Sequence, residues 1–421
     1  MTHLLHSLAT LALVTTLVTP HPEPRPPVTI RRNPVLLWNA VASQAFAPTQ
    51  GLDPLGQSRT FAILQAAIHD AINAIDARYL PYTPGLAAAP AASIDAAIAA
   101  ASRSVMLALV PDQSALIEGA YASATAVIGE GSAKASGIAT GQAAAAATLA
   151  RRQADGFASA TQPMYQPNRR PGVYQFTAPF DFANLPGWGR VAPFAIDLQD
   201  HRLARPLPLT SVKYARDFAE VKAIGAINSA TRAADQSQIA QFWYEDSPLG
   251  WNRIASTVIE QQGQDAWQAA RTLALVNFAI ADGYIAGFAD KYEHRFWRPV
   301  TAIQQAAEDG NPRTEADPRW QPFLLTPPVP DYPSTHTVVG AAAAAVLIEV
   351  FGDTVPFETT SLTLPGVTRS FTGFSAAARE NGMSRIYAGI HFPQAVKEGY
   401  RQGKGIGRAA ASVLTPVRGR S

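Results

Sequence analysis

Residues 61–75 read FAILQAAIHDAINAI. Phe61, Leu64, Ile68, Ile72 and Ile75 recur at spacings of 3, 4, 4 and 3, which is one face of a helix. The same kind of pattern starts at Val35 and extends outward from this stretch. It predicts helices over 93–109, 114–128, 133–151, 211–227, 234–244, 251–262, 266–295, 334–351 and 393–414, with another ending near Ser384. Alternation of period two is scarce. Two stretches interrupt the helices. Residues 154–205 carry Pro171, Gly172, Pro179, Pro186, Gly187, Trp188 and Gly189 without period, and residues 308–333 are rich in Pro and Asp. Both read as connectors, the first with short extended pieces. Loops of that length often cover a site or join subdomains. The expected fold is all-α: two packed helical bundles with long irregular connectors. The expected division is an N-terminal bundle and connector over 34–205 and a C-terminal bundle over 206–421.

Composition narrows the function. With 421 residues, 47% hydrophobic and 16% charged, the chain can bury a large core and is not disordered by composition. Its net charge of +2 (34 basic against 32 acidic residues) gives no support to nucleic-acid binding. The absence of cysteine excludes disulfides, zinc ribbons, iron–sulfur clusters and a thiol nucleophile. Leu8 to Val18 is an uncharged apolar run followed by a proline-rich break, Pro20 to Pro27. It is too short to span a bilayer comfortably and reads as an export signal, although no Lys or Arg precedes Arg25. Residues 1–33 are therefore expected to be a signal and linker, and the protein secreted or periplasmic. No later run reaches 18 uninterrupted apolar residues, so no membrane span is expected in the mature chain. Whether identical chains associate stays open.

Three segments concentrate donors for an anion. In the first, Lys291-Tyr-Glu-His-Arg-Phe-Trp-Arg298-Pro299, the cations stand seven apart. That spacing is nearly two helical turns, so both cations are expected to leave the same helix face about 10 Å apart. The competing reading is a solvated charged face. In the second, Pro333-Ser334-Thr335-His336 opens an apolar helix. A plain N-cap explains it, yet free N–H groups and the positive dipole end also bind anions there. The third is Ser384-Arg385-Ile-Tyr-Ala-Gly389-Ile-His391-Phe-Pro393, where Gly389 allows a tight backbone and Pro393 suits a helix start. Together they offer three cations, hydroxyl and amide donors, and two imidazoles that titrate near neutrality. His69, on the apolar helix, reads as a core histidine, and His294 as solvent-facing.

The order Lys-x6-Arg-Pro, Pro-Ser-x-His, Ser-Arg-x3-Gly-x-His resembles the superfamily of vanadium-dependent haloperoxidases and type 2 phosphatidic acid phosphatases. The resemblance is to the soluble bacterial haloperoxidase-like branch. It extends over roughly 35–414, through Ala66–Ile75, Phe242-Trp243, Trp251-Asn252-Arg253, Ala281–Ile303, Asp331–His336 and Gly389–Pro393. It implies an all-α fold and vanadate as cofactor. It also implies hydrogen peroxide, halide and small organic compounds as reaction partners. It assigns the vanadium-ligating ring nitrogen, or the phosphatase nucleophile, to His391. Lys291, Arg298 and Arg385 would bind the equatorial oxygens, with Ser334 and the amide of Thr335. His336 would be the acid–base residue, and Asp246 an acid holding a catalytic group. The positions it sets near the halide are Phe288 and Val329, both apolar.

Two positions depart from the family. Thr335 stands where Gly is usual, and its N–H serves only if its φ is negative. Ala395 stands where an Asp four residues after the last His is usual. Gln394, Glu398 or a backbone carbonyl would have to replace that acceptor, whose loss typically lowers affinity or activity about 10–100-fold. Three functions follow: halide oxidation with vanadate and peroxide, phosphomonoester hydrolysis with His391 as nucleophile, or a weakened, non-catalytic oxyanion binder.

Overall fold

The longest helix organises the molecule. In a computed structural model, which describes residues 33–47 and 52–417, the chain forms thirteen α-helices and one two-stranded sheet among the described residues. The expected signal lies outside them, except for Asn33. In order the elements are α1 (Pro34–Ala45), α2 (Pro54–Asn73), α3 (Ile94–Leu109), α4 (Ser114–Ala126) and α5 (Ser132–Arg152). After a connector with three short 3-10 turns come α6 (Val212–Ile224), α7 (Ala234–Phe242), α8 (Ser247–Gln261), α9 (Ala266–His294) and α10 (Pro299–Gln304). Then follow α11 (Thr335–Phe351), β1 (Phe357–Thr360), β2 (Thr368–Phe371), α12 (Phe374–Tyr387) and α13 (Pro393–Ala411).

Local chemistry sets many of the helix starts. Asn33, Asp53, Ser93, Ser211 and Asp265 each accept an N–H of the first turn through the side chain. Pro stands in the first turn of α1, α2, α8, α10 and α13. Before α9, Asp265 and Gln268 cap each other reciprocally, at 2.9 and 3.0 Å.

Helices α1 to α5 pack on one another, and α11 to α13 do the same; α9 packs against both α2 and α11. One hydrophobic core runs from Val35 to Leu414 and takes side chains from both sides of residue 205. By length and hydropathy α9 could cross a membrane, but here it is the buried centre of the fold. The apolar helix α11 is buried on most sides too, and α13 approaches it so closely that a Cβ at Gly403 would lie 2.0 Å from the carbonyl oxygen of Val338.

Three expectations are corrected. Helix α9 ends at His294, so Lys291 and Arg298 do not share a helix face: Arg295 turns the chain in the left-handed region (φ 50°), and Arg298 caps α10. Helix α8 starts at Ser247 rather than Trp251, because Pro248 fits its first turn and Gly250 leaves room for the Glu245 carboxylate. An antiparallel pair, with Phe357 opposite Phe371 and Thr360 opposite Thr368, occupies a stretch that showed no strand signal.

Candidate active site

The three segments meet at one cavity of about 300 Å³. Lys291, Arg298, Arg385, Thr335, His336 and His391 all line it. Lys291 sits in the last turn of α9 and donates to the carbonyls of Pro330 (2.5 Å) and Asp331 (3.1 Å), leaving the third of its N–H bonds. Arg298 donates from Nε to Val329 O (2.7 Å) and from Nη1 to Ile390 O (2.6 Å), with Nη1 also 3.0 Å from His391 Nε2. Arg385, near the end of α12, is different. Its Nε and Nη1 are buried and have no hydrogen-bond partner among the described residues, while its guanidinium lies over the Tyr244 ring.

All three cations are almost out of solvent, and none forms an ion pair among the described residues. Burial lowers each pKa. Lys291 falls well below its usual range, with Arg298 adding repulsion, and Arg385 falls to about 10. Asp331 attracts Lys291 and Arg298 without forming an ion pair with either, and burial raises its own pKa to about 7. Glu245 is paired with Arg253. Asp246 lines the cavity but accepts from Gln57 Nε2 at 2.8 Å, and burial and Asp53 raise its pKa.

Ser334 caps α11. Its N–H goes to Ala395 O at 3.0 Å, and its Oγ accepts from Thr337 Oγ1 at 2.9 Å, so its own hydroxyl hydrogen is free to donate. Thr335 is the first residue of α11 and is not among the residues with positive φ, so its N–H faces outward like any first-turn amide. The departure from Gly therefore keeps the donor. Its Oγ1 is buried without a partner.

His391 follows Gly389, whose φ of 77° makes the turn and whose missing side chain lets the chain pass Gly225. Its Nδ1 lies 2.8 Å from Asp331 Oδ1. The acceptor suggested by Gln394 or Glu398 is not used: Gln394 accepts from Leu207 N and Glu398 pairs with Arg401. His336 Nδ1 lies 2.9 Å from Ser247 Oγ, while Nε2 is buried with no hydrogen-bond partner among the described residues, and the Trp243 backbone lies near enough to the ring to favour its protonated form. Burial, together with Arg298 for His391 and Arg385 for His336, holds both imidazoles well below their usual pKa and so neutral.

The cavity brings together every expected cation and both histidines. Asp246 joins the wall but bonds Gln57, and the group holding His336 is its neighbour Ser247. Ser247 and Asp331 went unread in the sequence. The signals available were a Ser in the first turn after a cap and an acid three residues before Ser334. Phe288 and Val329 form an apolar wall with Leu55, Pro327 and Pro328. Asn184, from the connector, completes it. Elsewhere, His69 is a core histidine, with Nε2 3.2 Å from Leu80 O and a pKa lowered by burial to about 4. His294 is half-buried rather than solvent-facing, with Nε2 3.2 Å from Leu203 O.

Known proteins share this fold. A family model for the second helical-bundle domain of vanadium chloroperoxidase (VCPO) matches residues 271–419. A solved structure described as the first bacterial vanadium-dependent iodoperoxidase is 25% identical, covering 93% of this chain and 99% of that one with a TM-score of 0.79. Over its C-terminal part this chain resembles the vanadium chloroperoxidases, and its fold is that of the bacterial vanadium haloperoxidases. The vanadium chloroperoxidase of Curvularia inaequalis is 27% identical over 198 residues, 39% of this chain. That match spans only about a third of the relative, 32%. A holo-form bacterial vanadium-dependent chloroperoxidase shares the fold of this chain, with a TM-score of 0.69 at 16% identity over 92% of this chain and 93% of that one.

Proposed function

We propose that this protein is a vanadium-dependent haloperoxidase. With vanadate held in the cavity, it would use hydrogen peroxide to oxidise halide (H2O2 + X⁻ + H⁺ → HOX + H2O), and the hypohalous acid would halogenate small organic compounds. The observation that carries this reading is the buried, unpaired charge. Lys291, Arg298 and Arg385 converge with no ion pair among the described residues, one buried acid, Asp331, faces three cations, and two Arg385 nitrogens have no hydrogen-bond acceptor there. Unpaired buried charge is strongly unfavourable, so such a site gains stability when an anion enters.

The residues fit a tetrahedral oxyanion. Arg385 Nε and Nη1, the remaining Lys291 N–H, the Ser334 hydroxyl and the first-turn amides of α11 are all donors. His391 would supply the ring-nitrogen lone pair that ligates the central atom, through Nε2. Vanadate, when bound, supplies a Lewis-acidic centre that activates peroxide toward halide. The chain's own contribution is to concentrate positive charge on that centre, exclude water along the Phe288–Val329 wall, and move protons at His336. A neutral His336 can take a proton from peroxide and return it to the departing oxygen. The apolar run before Pro20 supports export, which N-terminal sequencing of the mature protein would test.

Purified protein assayed with and without orthovanadate tests the reading. Vanadate should switch on peroxide-dependent bromination or iodination, and His391→Ala should abolish it. Phosphomonoester hydrolysis inhibited by vanadate would instead make His391 a nucleophile. No response in either assay would leave only an anion binder.

A further inference from the structure

We infer that Asp331 is the positioning residue of His391: it fixes the imidazole tautomer and replaces the acid missing at position 395. The inference rests on the proposed oxyanion site. Its geometric basis is separate from the identity of the anion.

Two contacts on opposite sides of the ring define the tautomer. A guanidinium has no lone pair to offer, so Arg298 Nη1, 3.0 Å from Nε2, must be the donor and Nε2 the acceptor. A neutral imidazole carries one N–H. That hydrogen is therefore on Nδ1 and points at Asp331 Oδ1, 2.8 Å away. A doubly protonated ring would aim an N–H at Arg298, and a ring protonated on Nε2 would do the same. Only the Nδ1–H form satisfies both neighbours, and it needs an acceptor where Asp331 stands.

Asp331 is also built not to move. Its side chain is 1% exposed and that of His391 4%. Its N–H donates to Phe296 O at 2.8 Å, and its carbonyl accepts from Lys291 Nζ at 3.1 Å. Three residues later Ser334 caps α11. One residue thus ties the Lys291 segment, the Ser334 segment and His391 into a single frame. Ala395 cannot take this part: its side chain is a methyl packed with Tyr332, Trp297 and Phe392, and its carbonyl already accepts from Ser334. The acid has moved from four residues after the histidine to sixty before it. The departure at 395 is consequently no loss of function. The lone pair on Nε2 is kept ready, and an entering oxyanion competes for it with Arg298 alone.

The test uses the full-length protein and two variants, Asp331→Ala and Asp331→Asn, labelled with ¹⁵N-histidine. Long-range ¹H–¹⁵N spectra report the His391 tautomer without any ligand, with His391→Ala giving the assignment. Wild type should show a single Nδ1–H tautomer. Asp331→Ala should show a mixture, and calorimetric affinity for orthovanadate should fall about 10–100-fold. Inorganic phosphate should follow the same order. Asp331→Asn, nearly equal in shape, should fold if the Ala variant does not; its amide oxygen still accepts, so it should keep the tautomer largely intact and lose less affinity. A purely structural role would lower Tm and leave the tautomer unchanged, which overturns the inference. If wild type binds neither orthovanadate nor phosphate, the functional reading fails. The tautomer spectra still decide the role of Asp331.

Discussion

Ser247 and Asp331 hold the two histidines in different ways. Asp331 Oδ1 faces an N–H and so accepts whether the carboxyl is ionised or, with its pKa raised by burial to about 7, carries a proton on Oδ2, and it holds His391 in one form. A hydroxyl can donate or accept, so Ser247 can keep its 2.9 Å contact with His336 Nδ1 whichever ring nitrogen carries the proton. That suits a residue which must take a proton and give it back. Ser247→Ala should therefore lower turnover about tenfold at saturating vanadate while orthovanadate affinity stays within about twofold of wild type, a loss in the 10²–10⁴ range of acid–base catalysis only in part because the ring remains. Steady-state kcat beside calorimetric affinity checks this; a parallel loss of both would make Ser247 part of the cradle instead. At this scale the sequence was legible where a side chain acts inside its own motif, as Lys291, Arg385, His336 and His391 do. It was illegible where the partner is remote. Asp331 and His391 are sixty residues apart, and Asp331 read as one acid in a proline-rich loop. Asp246 drew attention to the right place, but consecutive residues at a helix start point about 100° apart, and only Ser247 faces His336.

The helices themselves were read to within a few residues, because period 3.6 is a local signal and their faces are apolar. The exception in the site was the stretch from Lys291 to Arg298. Pro299 at the first position of α10 marked a new helix, whereas the turn at Arg295 has no glycine to announce it. Pairing between elements is harder to see, and Thr335 shows why. A Cβ at Gly287 of α9 would lie 2.9 Å from Thr335 Cγ2 and 3.2 Å from its Oγ1. The glycine usual on one helix is missing, and one on the facing helix makes the space. Gly287→Ala should therefore push the first turn of α11 away, lowering both Tm and orthovanadate affinity. Thr335→Gly alone should be tolerated, losing a buried methyl but no amide. The double variant Gly287→Ala/Thr335→Gly should recover affinity lost in Gly287→Ala, with a coupling of about 0.5–3 kcal/mol, as for residues in contact. Additive losses in thermal and calorimetric measurements would mean that the two positions do not share this space.

Over the whole molecule, the connector between the bundles is held to α9 as a wall of the cavity. Tyr292 donates to Asn184 O at 2.5 Å, Asn184 N donates to Pro328 O at 2.8 Å, and Arg202 and Leu203 bind Asp290. The deepest of these anchors is Asp282, fully buried in α9, which accepts the N–H groups of Phe194 (2.6 Å) and Ala195 (2.8 Å). Those bonds and Arg152 favour the carboxylate, but its removal from water outweighs them and pushes its pKa up from 3.8 to about 7. The folded protein therefore keeps a proton that the unfolded chain gives up between about pH 4 and pH 7. Where the native state binds more protons, stability falls as pH rises. The contribution of Asp282 is thus most favourable below pH 4, declines across that window and is flat above it. Asp282→Asn cannot ionise, so it should remove this slope, although its amide offers one acceptor where the carboxyl offered two. The Tm of Asp282→Asn relative to wild type should rise from pH 4 to about pH 7 and level off above it, even if the variant starts lower. Other raised carboxyls, such as Asp70, are common to both proteins and cancel in the difference. Limited proteolysis across 154–205 should follow the same trend, with cleavage of wild type increasing toward pH 7 and that of the variant nearly constant. A difference in Tm that shrinks with pH would mean that the N–H groups and Arg152 outweigh burial, so that the connector is clamped by a charge rather than by a neutral acid.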